Sequence, residues 1–188
     1  MPASFPNGRL LATLERLNVL SGTLCVLRPY RKGDEHAICA VADDFMVARW
    51  MTRAFPHPYT LGDAQRWLDL NTNVPLARHF AIEVDGTLTG GIGFDPYGGE
   101  RDGAGSFGYW LGRKYWGRGI ATEAARILSG YALKEGGLRR LEALVFAENA
   151  ASVRVLEKAD FSLEGVLRQH YLDRAGRVCD ALLFARLS

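Results

Sequence analysis

The stretch YWGRGIATEAA, Tyr115 to Ala125, decides how the chain is read. Gly117 and Gly119 flank Arg118, and the residues after them turn at once into a helical pattern. Glycine reaches left-handed backbone conformations without steric cost, so a glycine pair lets the chain bend sharply and leaves backbone N–H groups exposed at the helix start. The helix dipole adds partial positive charge there. Arg113, Lys114 and Arg118 surround the turn, and no acid intervenes before Glu123. The stretch predicts a cradle for an anion. It lacks the GK[ST] of a nucleotide P-loop and the GxGxxG spacing of a dinucleotide fold, which argues against both of those phosphate chemistries.

Outward from the cradle, Ile120, Ala124, Ile127, Leu128 and Tyr131 repeat on one helical face until Gly136 and Gly137. SFGYWL ahead of it reads as a strand, and HFAIEVD, the turn DG and TLTGGIGF read as a hairpin. DPYGGERDGAG between them is a glycine-rich loop. RLEALVF is a further strand, AASVRVLEKA a helix, and SLEGVLRQHYL with VCDALLFARL a strand pair around the turn DRAG. Toward the N-terminus, TLCVLRPY predicts a strand stopped by Pro29, Gly33 and Asp34 open a helix through about Ala42, and LGDAQRWLDLNT predicts a helix with an acidic first turn. Its inward positions are Leu61, Ala64 and Leu68. The two prolines of AFPHPY hold that segment in a loop able to cover a cleft. Residues 1–20 read as an arm that docks or supports a dimer, and residues 21–188 as a single domain of mixed α/β type.

With 188 residues, 48% of them hydrophobic, the chain is long enough for one sizeable core. A formal charge of +2 lacks the basic excess of a duplex binder, so no nucleic-acid partner is expected. Cys25, Cys39 and Cys179 show no CxxC spacing and form an odd set, which fits a reducing compartment. RLLATLERLNVL is interrupted by Glu15 and Arg16, so it does not read as a signal peptide. No apolar run approaches a membrane span, and a cytoplasmic protein is expected. His36, His57, His79 and His170 share no metal-ligand spacing, so no metal is expected. Trp50, Trp67, Trp110 and Trp116 read as core, although Trp116 lies inside the glycine turn.

Three segments carry a family resemblance: LRP at 27–29, GYWLGRKYWGRGIATEA at 108–124, and FAENAASVRVLEKADF at 146–161 with EGVLR at 164–168. Across roughly Gly22 to Leu187 the chain resembles the GNAT acetyltransferases, specifically the RimJ/RimL-like branch that acetylates N-terminal amines. The resemblance implies a central, mostly antiparallel sheet of about seven strands, flanked by helices and splayed at the cofactor site. It implies that Gly117, Gly119 and Ala121, with Arg113, Trp116, Arg118, Ile120 and Thr122, bind the pyrophosphate of acetyl-coenzyme A. It places the acetyl carbonyl against a backbone N–H at Trp110 or Leu111.

Locally, Asn149 reads as a helix N-cap with Ser152 in the first turn. The resemblance instead implies that Asn149 contacts cofactor or acceptor and that Ser152 lies near the thiol as proton donor. Other branches carry a tyrosine seven residues after the asparagine, where this chain has Leu156, so Ser152 is the expected acid. Relatives often carry an acid just before GYW, where this chain has Ser106; Glu83, Glu100 and Asp102 are nearby carboxylates, and none is assigned as base. Asp160 replaces the usual glycine before Phe161, and aspartate tolerates the left-handed backbone such a turn needs. His57 and His170 are candidates for the acceptor cleft, as is Arg168, for which a structural ion pair is an equal reading. Arg139, Arg140, Arg154 and Lys158 read as solvated charges, one or two of which could reach the nucleotide's 3′-phosphate.

The implied reaction is attack by a neutral amine on a thioester. The site must position two substrates, donate hydrogen bonds to a developing oxyanion, and manage one proton at nitrogen and one at sulfur. An α-amine titrates near about 7.7–8.0 and a lysine near about 10.4, so exposing neutral lysine costs roughly 3.5 kcal/mol more. A site without an evident base therefore favours an α-amine. The alternatives are a small-molecule amine such as an amino acid, polyamine or antibiotic, or a catalytically silent coenzyme A binding module, which Ser106 and Leu156 would suit. A monomer or a homodimer is expected.

Overall fold

The run from Leu88 to Phe94 is buried without a break, the mark of a central strand covered on both faces. The structure, a computed structural model, describes residues 19–72 and 77–188; the expected N-terminal arm falls mainly on residues 1–18, outside the described residues. The strands are β1 (Leu20–Ser21), β2 (Val26–Pro29), β3 (His79–Val84), β4 (Thr87–Pro96), β5 (Ala104–Leu111), β6 (Arg140–Phe146), β7 (Ser162–Leu172) and β8 (Val178–Leu187). They form one sheet in the order β1-β2-β3-β4-β5-β6-β8-β7. Every pairing is antiparallel except β5 with β6. The count is eight rather than about seven because the two-residue β1 pairs with β2, and two residues carry too little alternation to be read as a strand.

One face is covered by α1 (Glu35–Ala42), the single turn α2 (Phe45–Ala48) and α3 (Leu61–Asn71). Ile38, Val41, Ala64 and Leu68 pack there with Tyr30, Ala81 and Leu88. The other face is covered by α4 (Ile120–Lys134) and α5 (Ala150–Lys158), whose Ile120, Ala124, Leu128 and Leu156 pack on Leu27, Phe80, Ile92, Phe107 and Phe184. Leu61 is 47% exposed instead of facing inward, because it is the first helical position. α3 begins with a reciprocal cap: the Thr60 side chain accepts from the Asp63 N–H, and the Asp63 carboxylate accepts from the Thr60 N–H. α2, unread in the sequence, is only four residues long and too short to show a period.

The parallel pairing of β5 with β6 is short. Ala104–Ser106 pairs with Arg140–Glu142, and beyond that Phe107–Leu111 and Ala143–Phe146 diverge. β6 keeps β8 along its whole opposite edge, so the sheet stays continuous at one end and splits at the other. The split lies between the two strands whose following segments, the glycine turn and α5, carry the expected site residues.

Candidate active site

Gly117 and Gly119 adopt φ of +74° and +81°, the left-handed region that a side chain would strain. Gly119 is the N-cap of α4 and, having no side chain, caps nothing. Among the described residues, the N–H groups of Gly117 through Thr122 donate to no protein acceptor. By contrast Thr60 caps α3 and Asn149 caps α5. Gly117, Arg118 and Gly119 are exposed, and a Cβ at Gly117 would meet only open space. These residues fit the diphosphate of acetyl-coenzyme A. Lys114 and Arg118 lie 5.0 and 5.8 Å from the Tyr115 ring, and Arg113 is exposed beside them. Ile120 is buried in the core, so only its backbone is available to the cradle. The Trp116 indole N–H donates to the Leu111 carbonyl at 2.7 Å, which closes the end of β5.

The alternation of β5 sorts its amides. Gly112 donates to Thr89 at 2.8 Å, so even-numbered amides point toward β4 and odd-numbered ones toward the split. Of the two expected carbonyl donors, Leu111 therefore presents its N–H to the split. The Trp110 N–H is directed at β4, and its ring lies on the α1/α3 face, 5.5 Å from Phe55.

On the α4/α5 face the split is bridged. The Ser152 hydroxyl lies 2.7 Å from the Tyr109 hydroxyl, joining β5 to α5. Burial pushes the Tyr109 phenol up to about 12, although its hydrogen bond to Ser152 pulls the other way. The Asn149 side chain accepts from the Ser152 N–H at 3.2 Å, so the local capping reading is realised and it also fixes the turn that carries Ser152. Leu156 is fully buried in the core.

On the α1/α3 face a loop spans both lips. Trp50 lies 6.0 Å from Phe146 at the end of β6, and Phe55 lies against Trp110 on β5. The β7–β8 turn is fastened to that loop: Arg174 donates from Nε to the Ala48 carbonyl at 2.7 Å and from Nη2 to the Thr52 and Phe55 carbonyls. Arg53 donates in return to the Asp173 carbonyl at 3.2 Å, and Tyr171 stacks 4.6 Å from Phe146. Of AFPHPY, Phe55 reaches the β5 lip, while Trp50 ahead of the segment reaches the β6 lip. His57 turns away toward Asp43 at 3.5 Å, whereas His170 is exposed beside Tyr171.

Ser106 sits opposite Asp95 on β4 and Glu142 on β6. Burial opposes the charge of Glu142, but Arg140 and Arg101 outweigh it and hold its carboxyl below the usual range. The His79 ring lies 3.0 Å from Asp95 and holds that carboxyl low. Glu83 is paired with Arg28 at 2.6 Å on the outer strands, while Glu100 and Asp102 are exposed in the loop. Arg140 is not a solvated charge: it is clasped between Glu142, two residues on along β6, and Glu164 of β7.

Residues 25–162 match the family described as an acetyltransferase (GNAT) domain. The chain belongs to the GNAT acetyltransferase family. It is 32% identical over 167 residues to the uncharacterized N-acetyltransferase p20 of Bacillus licheniformis, covering 86% of this chain and 91% of that one. It is 25% identical to the spermidine N(1)-acetyltransferase of Escherichia coli (strain K12), covering 77% of this chain and 76% of that one. The structure of Mycobacterium smegmatis RimJ in complex with a CoA-disulfide overlays it with a TM-score of 0.73 at 26% identity, covering 91% of this chain and 85% of that one. This GNAT enzyme therefore has the mixed, mostly antiparallel fold of an acetyltransferase. Among its described residues no helix is long and apolar enough to cross a membrane.

Two features of this GNAT site escape sequence reading. Tyr109 and Ser152 are 43 residues apart and meet only through the fold; the available signal was the shared face of Phe107, Tyr109 and Leu111 at period two. Arg174 lay in a turn whose docking partner, the loop after α2, lies more than a hundred residues earlier.

Proposed function

We propose that this GNAT enzyme transfers the acetyl group of acetyl-coenzyme A directly to the α-amine of a polypeptide. The observation that carries the reading is the split between β5 and β6, with the Leu111 N–H turned into it, the amide cradle at one end and the Ser152–Tyr109 pair on one rim. Acetyl-coenzyme A supplies an activated thioester. The amides of Gly117 to Thr122 would hold its diphosphate, and the Leu111 N–H would donate to the carbonyl oxygen as charge develops there. As the C–N bond forms and the C–S bond breaks, the amine would give its proton to water, and Ser152 would pass one to sulfur while taking one from the Tyr109 hydroxyl, which water then re-protonates.

The carboxylates beside Ser106 are held in the charged state by His79 or by arginines, and are weak proton acceptors for that reason. An α-amine needs the least help from such a site, since a useful fraction is already neutral near pH 7–8. Three free cysteines, two of them buried, support a cytoplasmic setting. The test compares a peptide bearing a free N-terminus with the same peptide N-terminally blocked and carrying one internal lysine, and with spermidine. Coenzyme A release should be at least about 100-fold more efficient, as kcat/KM, with the free α-amine, in line with the pKa difference. Comparable turnover of the blocked lysine peptide, or faster turnover of spermidine, refutes the reading.

A further inference from the structure

The loop over the α1/α3 side of the split, with the β7–β8 turn docked on it, carries three arginines whose charge the protein leaves unbalanced. Arg49 lies 4.5 Å over the Trp50 ring, Arg53 donates to the backbone of Asp173, and Arg174 donates to three backbone carbonyls. None of the three meets a carboxylate among the described residues. The nearby carboxylates are committed elsewhere. Asp173 binds Arg177 and the turn amides, Asp44 caps α2, and Asp43 accepts from the Tyr59 N–H and faces His57. Glu148 faces Arg177 at 3.4 Å.

Burial disfavours the charge of Arg174, and the charge of Arg53 disfavours it further, so two guanidinium groups lie close together with only carbonyl dipoles to receive them. Arg53 is exposed and spends one arm on Asp173, leaving the rest of its planar fork unengaged. A guanidinium fork matches a carboxylate with two parallel hydrogen bonds, and a cationic rim repels a cationic ligand. Arg53 stands on the same loop whose Trp50 and Phe55 reach the two lips of the split, and Arg174 is docked against that loop.

We infer that the acceptor carries carboxylates close to its amine: a polypeptide whose residues just after the α-amine are acidic. The inference rests on the polypeptide α-amine reading above and adds to it the charge of the substrate. Arg53 and Arg174 receive the carboxylates at the rim while the amine passes between Trp50 and Phe55 into the split.

The test uses the full chain, saturating acetyl-coenzyme A, and three short peptides that share one N-terminal residue and contain no lysine. Positions two to four are acidic, neutral, or arginine. The acidic peptide should be used at least about tenfold more efficiently than the neutral one and the arginine peptide least, with the difference in KM, and the preference should shrink above 0.3 M salt, where screening shortens to a few ångströms. R53E should reverse the order while the KM for acetyl-coenzyme A stays within twofold. Preference for the arginine peptide, or an acidic preference that R53E leaves intact, overturns the inference. Turnover of none of the three overturns the polypeptide reading instead. The carboxylate inference is then decided by free glutamate against its diamide: a glutamate preference lost in R53E supports it, and equal rates overturn it.

Discussion

Ser152 and Tyr109 share one hydrogen bond across the split, so each depends on the other for its direction. S152A and Y109F should each lower kcat about tenfold, near 1.4 kcal/mol, and the double variant should be little worse than either, because partners in one network are not additive. Coenzyme A affinity by calorimetry should hold, and fully additive losses in kcat would show the pair to be unconnected. Burial keeps the Tyr109 phenol protonated up to about 12, so the rate should rise with pH as the amine deprotonates and show no fall near pH 10. Legibility at this scale follows locality. Asp160 takes the left-handed φ of +64° expected of a residue in place of glycine, and Gly119 takes +81°, since both answer to their own backbone. Tyr109 answers to Ser152 on α5, and Arg140 to Glu164 on β7, so their roles were invisible one residue at a time.

The first turn of α4 is held by something other than its glycine cap. Glu123 accepts from the N–H groups of Thr23, Leu24 and Cys25 at 3.0, 2.7 and 3.0 Å, and from the Thr23 hydroxyl, so one carboxylate ties the β1–β2 turn to the helix behind the cradle. Burial raises its pKa, but the hydrogen bonds from Thr23, Leu24 and Cys25 outweigh burial, and the folded value lies below the ordinary 4.5. A carboxyl depressed by folding contributes stability that is complete above 4.5 and is lost as pH falls through the lower folded value. E123Q should cost about 2 kcal/mol at pH 7, from weakened charge-assisted hydrogen bonds, and should flatten the acid limb of a plot of melting temperature against pH. An unchanged acid limb would show that Glu123 does not hold the β1–β2 turn in solution. In the sequence Glu123 was only the first acid after a basic turn, because the residues it binds lie about a hundred positions earlier. α4 and α3 themselves were plain from their periodicity, whereas α2 was not, being four residues fixed by the Asp44 cap.

Across the whole molecule, the strands and helices from His79 onward follow the order the sequence predicts, since alternation, glycine turns and one-face helical spacing are local signals. The mostly antiparallel sheet and its split were implied by resemblance alone, and the strand order was not read at all: nothing in RLEALVF says that its first three residues pair with β5 and its last four do not. The β7–β8 turn, docked through Arg174, makes two distant parts of the chain cooperate. R174Q should lower stability by about 2 kcal/mol and open the segment from 49 to 60 to limited proteolysis, because the carbonyls it serves lose a charged donor. Wild-type resistance in the variant would show the fastening to be incidental.

The crossing of the sheet at one gap has a practical meaning for inhibitor chemistry. Under the proposed reading, donor and recipient approach from opposite sides and meet only where β5 and β6 part. Spent coenzyme and acetylated product would then leave by separate doors, neither waiting on the other. A single compound imitating both would need a slender tether at its middle, thin enough to thread between two strands, with a bulky head on each flank.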